Sequence, residues 1–306
     1  MDVLNDVFSQ MQLSGVHHLQ LEIRGPWGLA FQAQNVVKLG LVVEGSILLT
    51  HEGSAKGILL GEGDFFLCTN QAAYTLQDHP NSRVIDLRTV LTPHQANLVD
   101  PIRLGQEGPR TRLLLGMLTF DNWVGQHLME ALPPFILWSH DEQQAADFGR
   151  VLEQIVAESV GRSPGASLVT QWLGSILFLQ AVRQFGLSSQ NQRPGWLAAL
   201  KDQAISRSLQ AFHAEVGHGW TIELLAKEAG LSRSGFALRF HHVMGCTPLE
   251  YLTRWRMTLA TSLLRQGDEK TDNIARRLGY LSVSSFSRVF QQRWGQTPAQ
   301  FRRFAI

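Results

Sequence analysis

Cysteine is scarce in this sequence of 306 residues, which contains only Cys68 and Cys246. Two thiols cannot build a disulfide framework or a four-cysteine metal site, and their scarcity is typical of a protein from a reducing cytoplasm. No apolar run approaches the roughly eighteen residues of a membrane-spanning helix. Asp2 and Asp6 stand where a secretory signal needs a basic start and an apolar core. The sequence therefore predicts a cytoplasmic protein without a membrane partner.

Motifs of catalysis and cofactor binding are also missing. The chain has no glycine-rich phosphate loop, no nucleophile elbow and no pair of catalytic carboxylates in a recognisable pattern. Its early histidines lack the spacing of metal ligands, and they are His17, His18, His51, His79 and His94. These absences predict a protein that is not an enzyme and that holds neither a cofactor nor a metal.

Charge is distributed unevenly along the chain. Residues 205–306 contain 14 Lys and Arg against 7 Asp and Glu, whereas residues 1–204 contain 13 against 19. The last third is therefore basic and the remainder is acidic. Such an arrangement is typical of a polyanion-binding module attached to a sensing or assembly domain.

The first two thirds of the chain change from strand patterns to helix patterns. Residues 39–87 contain short apolar runs separated by glycine-bearing turns, which predicts a small β-barrel or sandwich. Residues 141–160 and 166–185 show apolar residues at helical spacing, with a Ser-Pro-Gly break at 163–165. A helical hairpin is therefore expected. Its role is open between core packing and a dimer interface.

Polar composition and a proline mark residues 188–194 as the best linker in the chain. The predicted organisation is a β-rich domain at 1–140, the helical hairpin at 141–187, this linker, and a helical domain at 195–306.

After the linker the sequence repeats itself with a period of about fifty residues. Eight positions recur between the two copies. Ala226, Gly230, Ser232, Phe236, Phe240, Gly245, Thr247 and Pro248 match Ala275, Gly279, Ser282, Phe286, Phe290, Gly295, Thr297 and Pro298.

Each copy has the pattern of a helix-turn-helix unit, at about 222–243 and about 271–293. A glycine able to take the left-handed conformation ends the first helix, and a serine caps the second. Between the units, a helix that starts at Pro248 and ends at Gln266 would form a rod about 28 Å long at 1.5 Å per residue. Successive major grooves lie about 34 Å apart, so one chain could read two adjacent grooves.

The segment 205–306 resembles the DNA-binding domain of the AraC/XylS family of bacterial transcription regulators, through residues 226–240, 251–257 and 274–301. The rest of the chain resembles the cupin-type sensor domain found in one branch of that family. The segments that carry this second resemblance are Gly25-Pro26-Trp27-Gly28, Val43-Glu44-Gly45, Gly63-Asp64, Ala131-Leu132-Pro133-Pro134 and Gly195-Trp196-Leu197.

The resemblance implies an α+β multidomain fold. It combines a cupin-like β-barrel and a helical hairpin with an all-α domain of two helix-turn-helix motifs joined by a long helix. It also implies a sequence-specific regulator of promoter DNA, more often an activator, with RNA polymerase as an expected partner. A homodimer is expected, with the helical hairpin as its candidate interface. Its N-terminal domain would sense a small-molecule effector.

Side chains that face away from the paired phenylalanines are expected to contact DNA. Arg288 is the strongest candidate, because arginine can bond O6 and N7 of guanine, a contact worth about 1 to 3 kcal/mol of discrimination. A phosphate contact is the alternative. In the first unit Leu238 stands at the matching position, with the arginine moved to Arg239, so a thymine methyl is the expected contact. The full predicted set is Ser234, Leu238, Arg239, Ser284, Ser287, Arg288 and Gln291, with Arg233 and Arg276. Further arginines could neutralise phosphates, namely Arg254, Arg256, Arg277, Arg293, Arg302 and Arg303.

Many cupins are metal-dependent enzymes, and this is the main alternative for the first domain. Gly40, Tyr74 and the Ile136-Leu137 pair stand where the family often carries histidines, which disfavours a metal enzyme.

A sensor barrel is the favoured interpretation instead. Trp27, Phe65, Phe66 and Tyr74 are the candidate lining of an effector site, although the same aromatics would also serve to fill the barrel. Redox sensing through Cys68 is an alternative. Strand alternation points this thiol inward and no basic neighbour is visible in the sequence, so a buried, inert thiol is favoured.

Overall fold

The structure, a computed structural model, describes residues 3–9, 11, 13–34, 36–51, 57–69, 73–90, 100–120, 129, 132–161, 163–188, 193–265, 267 and 269–304. The chain forms two compact units. We call residues Gln12–Phe185 the barrel unit, and residues Gly186–Ile306 with Met1–Met11 the helical unit. Of the predicted linker, residues 189–192 lie outside the described residues.

Two sheets build the barrel unit. One has the strand order β11-β6-β3-β10-β1-β9 and the other β5-β4-β7-β2-β8. Pairing is antiparallel except for β1 with β9 and β2 with β8. The strands are β1 Leu13–Arg24, β2 Gly28–Phe31, β3 Val37–Glu44, β4 Ile47–His51, β5 Ile58–Leu60, β6 Phe65–Cys68, β7 Tyr74–Gln77, β8 Val84–Asp86, β9 Ile102–Leu104, β10 Arg110–Phe120 and β11 Phe135–Trp138.

Helices occur in both units. None of them, within the described residues, is long and apolar enough to cross a membrane. They are α1 Val3–Ser9, α2 Leu87–Val90, α3 Gln143–Gly161, α4 Ala166–Leu187, α5 Trp196–Ala199, α6 Gln203–Ala214, α7 Ile222–Ala229, α8 Arg233–Met244, α9 Pro248–Arg265, α10 Thr271–Arg277, α11 Val283–Trp294 and α12 Pro298–Phe304.

The core of the barrel unit lies between the two sheets. Alternate residues of a strand point to the same face, and Leu29 of β2, Val42 of β3 and Leu113 of β10 meet there, each at most 1% exposed. The hairpin helices α3 and α4 cover the outer face of the larger sheet. The Phe65 ring lies 5.3 Å from Phe148 of α3, and Phe120 lies 4.9 Å from Phe178 of α4. The predicted hairpin therefore packs against the sheet through one side of each helix.

In the helical unit the turn signals of the repeat are present in both copies. Gly230 and Gly279 have φ angles of 71° and 81°, in the left-handed region that glycine tolerates. The Ser232 hydroxyl accepts a hydrogen bond from the Gly235 amide at 3.2 Å, which caps α8. Its counterpart Ser282 caps α11 through the Ser285 amide at 3.1 Å. The two predicted helix-turn-helix units are confirmed, and the 18-residue α9 joins them.

The first residues of the chain group with the helical unit, whereas the sequence placed them in the 1–140 domain. Helix α1 packs against α6, and its Val7 side chain is fully buried. Burial of an apolar side chain in this way stabilises the fold by about 1.5 to 3 kcal/mol.

Candidate nucleic-acid interface and ligand cavity

The second helix of each helix-turn-helix unit buries one side and exposes the other. Phe236 and Phe240 of α8 are 0% and 2% exposed, and Phe286 and Phe290 of α11 are both 0% exposed. Because residues four apart lie on one side of a helix, the opposite side of each helix faces outward. The outward residues are the ones predicted from the sequence to contact DNA.

On α11 the outward side carries an arginine and several hydroxyl and amide groups. Ser284, Arg288 and Gln291 are exposed, and Ser287 is half-buried. Arg288 makes no hydrogen bond or ion pair with any residue that the structure describes. Its guanidinium therefore keeps all of its donors available to a ligand, in the fork geometry that matches a guanine edge or a phosphate.

The outward side of α8 is different in character. Leu238 is 76% exposed and Ser234 is exposed. Arg239 is tied to the protein, because its Nε donates to Asp202 Oδ2 at 2.7 Å. The other oxygen of Asp202 accepts the Ala204 and Ile205 amides at 3.1 Å and so caps α6. Burial opposes ionisation of Asp202, but the hydrogen bond from Arg239 and the two amides outweigh it and lower the pKa of this carboxyl.

The two arginines predicted beside the recognition helices have carboxylate partners. Arg233 Nε lies 2.9 Å from Glu223 Oε1, and Arg276 pairs with Asp272 one turn earlier in α10. All four side chains are at least 46% exposed. Exposed ion pairs contribute only about 0 to 1 kcal/mol, so a DNA phosphate can compete for either guanidinium.

Arg256 of α9 was predicted to neutralise a phosphate, but the structure shows a different role for it. Its Nε and Nη2 donate to the Val216 carbonyl at 3.0 and 2.9 Å, and Nη2 also donates to the His218 carbonyl at 2.8 Å. The guanidinium lies 6.0 Å from the centre of the Tyr280 ring. Arg256 therefore joins the loop after α6 to the turn of the second helix-turn-helix unit and does not offer its charge to a phosphate.

Two glycines allow this loop to approach the turn closely. A Cβ atom on Gly217 would lie 2.5 Å from the Arg277 carbonyl, and one on Gly279 would lie 2.6 Å from the Gly217 carbonyl. Such distances are too short for any side chain. The loop and Arg256 together hold the two helix-turn-helix units against each other.

A polar network crosses the core of the first helix-turn-helix unit. Trp196 Nε1 donates to the Tyr251 hydroxyl at 3.0 Å, and that hydroxyl lies 2.8 Å from His213 Nε2. The His213 ring stacks on Trp255 at 4.3 Å. Burial lowers the pKa of His213 to about 3, so the imidazole is neutral at physiological pH. Trp255 is 3% exposed and belongs to the core of the helical unit.

The barrel unit contains a cavity of about 440 Å³ at one end of its core. Of the four aromatics predicted to line an effector site, Tyr74 borders this cavity. Phe65 instead packs against Phe148 on the outer face of the sheet. Trp27 lies outside the lining. It precedes β2 and is four residues from the cavity-lining Phe31, a spacing of about 13 Å along a strand. Phe66 fills the core beside Gly40.

Gly40 and Cys68, the positions weighed for a metal or a redox function, both lie in a packed environment. A Cβ atom on Gly40 would lie 2.1 Å from the Phe66 ring, so the ring occupies the space that a histidine there would need. Within the described ranges no three His, Cys, Asp or Glu side chains form a metal-binding group. Cys68 is 1% exposed, and burial raises the pKa of its thiol to about 12 despite the opposing charge of Lys38. Lys38 is the basic neighbour that the sequence did not reveal.

Similarity to known proteins extends over both units. A family profile described as Cupin matches residues 2–185, and one described as Helix-turn-helix domain matches residues 225–303. An AraC-like transcription regulator of Streptomyces lividans is 31% identical over 303 residues, covering 99% of this chain and 98% of the relative. The regulator AlkR of Acinetobacter baylyi is 29% identical over 307 residues, covering 99% of each.

Among solved structures, the DNA-binding domain of AdpA in complex with a target DNA is 29% identical, covering 31% of this chain and 86% of that chain, with a TM-score of 0.31. The full-length relatives and the two family matches agree with the paired helix-turn-helix units and the sheet-rich first domain. The chain belongs to the AraC-like family of DNA-binding transcription regulators, with an N-terminal cupin domain and a C-terminal helix-turn-helix domain.

Proposed function

We propose that this regulator reads base sequence in two adjacent major grooves, and that Arg288 makes the main base contact. The observation that carries the proposal is the free guanidinium of Arg288 on the exposed side of α11, in a domain where Arg233, Arg239 and Arg276 have carboxylate partners. An arginine placed there is suited to guanine O6 and N7.

The two recognition helices favour an asymmetric operator. Helix α11 presents Arg288, whereas α8 presents Leu238, whose side chain suits a thymine methyl group. The other polar candidates, Ser234, Ser284, Ser287 and Gln291, suit base edges or phosphates. Because α9 and Arg256 connect the two units, the operator should contain two different blocks about one helical turn apart.

The barrel unit is proposed to sense a small effector and to control how the helical unit meets promoter DNA and RNA polymerase. Activation is the favoured outcome of that control. We further propose that the protein acts in the cytoplasm and has no enzymatic activity. The inert environment of Cys68 favours ligand sensing over redox sensing.

Homodimerisation through the hairpin is part of the proposal. Leu168, Trp172 and Ile176 of α4 are 48%, 59% and 45% exposed. At four-residue spacing they form one apolar stripe, and such a stripe on a helix surface is typical of a protein interface. A second copy of the hairpin is the proposed occupant.

Selection of genomic fragments by the purified protein tests the proposal. At about 150 mM salt, non-specific phosphate contacts are suppressed, and we expect one motif with two blocks a helical turn apart. Arg288→Ala should abolish the preference for one guanine, at a cost of about 1 to 3 kcal/mol. The matched control Arg276→Ala should weaken binding evenly across sequences. An unchanged motif with Arg288→Ala would refute base reading, and binding without sequence preference would indicate an architectural protein.

A further inference from the structure

The cavity of the barrel unit is open at one end of the core and is lined largely by apolar side chains. The strand alternation that buries Leu21 and Leu113 in the core also turns Leu19 and Leu115, two residues away on the same strands, inward at this end. Its volume of about 440 Å³ lies within the range of about 300 to 1,000 Å³ that is typical of small-molecule sites. The apolar side chains in the lining include Leu19, Phe31, Tyr74, Leu115 and Met117.

A lysine points into this apolar space. Lys38 lies on the same side of β3 as Gly40 and Val42, which face the core. Its Nζ donates to the Gln32 carbonyl at 2.7 Å and lies 5.3 Å from the centre of the Tyr74 ring. The ammonium has three donors, and these contacts leave it with further hydrogen-bonding capacity toward the cavity.

No carboxylate among the described residues pairs with this lysine. Asp86, the carboxylate in the lining, is held by Arg88 through Oδ1–Nε and Oδ2–Nη2 distances of 3.0 and 2.6 Å. Gln32 Nε2 also donates to Asp86 Oδ2 at 3.2 Å. The thiol of Cys68, with its pKa raised to about 12, is neutral and supplies no negative charge.

An ammonium in an apolar environment is costly unless an anion pairs with it. Burial lowers the pKa of Lys38, which shows that the fold itself disfavours the charged form. An uncharged ligand would displace water from the Lys38 ammonium without offering a counter-charge, whereas an anionic ligand would pair with the ammonium. The chemistry of the cavity therefore favours an acid over a hydrocarbon or an alcohol of the same shape.

We propose that the cavity binds a small amphipathic carboxylate, whose anionic group pairs with Lys38 and whose apolar body lies against Phe31 and Leu115. This inference rests on the proposed sensor function and names the chemical class of the effector. A monocarboxylate with a short alkyl chain or one aromatic ring is small enough for this volume and places its charge at the Lys38 ammonium.

Calorimetric titration of the full chain with octanoate, benzoate and octan-1-ol tests the inference. Octanoate or benzoate should bind wild type at least about tenfold more tightly than octan-1-ol does, as expected for a hydrogen-bonded charge pair. Lys38→Met, which retains an apolar stem of similar length, should lose that difference, whereas the control Lys227→Met on α7 should keep it. The comparison of acid with alcohol in wild type needs no variant, so it decides the question even if Lys38→Met fails to fold.

Three results would overturn the inference. They are equal binding of the acids and the alcohol by wild type, undiminished acid binding by Lys38→Met, and no acid binding up to about 10 mM, where Kd values in the millimolar range are detectable. Operator binding without any probe separates this failure from that of the proposed function. If the operator motif is recovered and the acids do not bind, the regulator stands and the ligand class is wrong. If the acids bind through Lys38 and the operator affinity does not change, the ligand class stands and the sensing role is wrong.

Discussion

Acidification is expected to destabilise the helical unit through one buried histidine. His213 lies between the Tyr251 hydroxyl and the Trp255 ring, in the core that unites α5, α6 and α9. Burial lowers its pKa from 6.5 to about 3. The folded state therefore resists a proton that the unfolded chain accepts readily, so the linked stability is present above pH 6.5 and is lost as the pH falls towards 3.

The size of the effect follows from the two pKa values. Each pH unit below the unfolded value costs about 1.4 kcal/mol until the folded value is reached. At about pH 5 the expected loss is therefore about 2 kcal/mol relative to about pH 7.5. Carboxyls whose pKa the fold lowers, such as Asp64 and Asp202, lose their stabilisation only below about pH 4, where the unfolded carboxyls titrate. The change in stability between about pH 7.5 and about pH 5 therefore reports on histidine titration and not on these carboxyls.

Urea unfolding of the full chain at about pH 7.5 and about pH 5 measures this loss of stability. The His213→Gln variant serves as the comparison. Glutamine offers a hydrogen bond to Tyr251 without titrating, so the variant is expected to be less stable at neutral pH but nearly independent of pH in this interval. Comparing wild type with the variant removes the contribution of every other titrating group. If both proteins lose the same free energy of unfolding between about pH 7.5 and about pH 5, the argument that His213 is held neutral is refuted.

Three further predictions concern other parts of the chain. Arg256→Met should lower the free energy of unfolding by about 1.5 to 3 kcal/mol, the range for one hydrogen bond to a charged group. It should also weaken binding to a two-block operator. An unchanged urea midpoint would contradict the role of Arg256 in joining the loop after α6 to the second helix-turn-helix unit. Trp172→Glu should shift the protein from dimer to monomer in analytical ultracentrifugation, and an undiminished dimer would exclude this face. Cys68 should react with a thiol reagent at pH 7.5 only after unfolding, because its pKa is about 12; rapid native labelling would restore the redox alternative.

The helical unit was predictable because its signals are local. Gly230 and Ser232 mark a turn and a cap within three residues, and the spacing of Phe236 and Phe240 identifies the buried side of the following helix. Each signal recurs about fifty residues later, which makes coincidence a poor explanation. Where function depends on a partner distant in sequence, the prediction was weaker. Arg239 pairs with Asp202, 37 residues away, and nothing in the helix pattern distinguishes it from the unpaired Arg288.

The ligand cavity shows the same limit more clearly. In the structure Lys38 lies on the same side of β3 as Gly40 and Val42, but strand alternation does not say which inner positions are filled. Phe66 fills the space beside Gly40, whereas the space beside Lys38 stays open as a cavity of about 440 Å³. That empty volume is formed by side chains from strands far apart in sequence, and Asp86, the carboxylate of its lining, is paired with Arg88 rather than with Lys38 in the described residues. The position and chemistry of a ligand site in such a barrel therefore follow from what the aromatic side chains leave unfilled, and aromatic content alone identified one lining residue out of four.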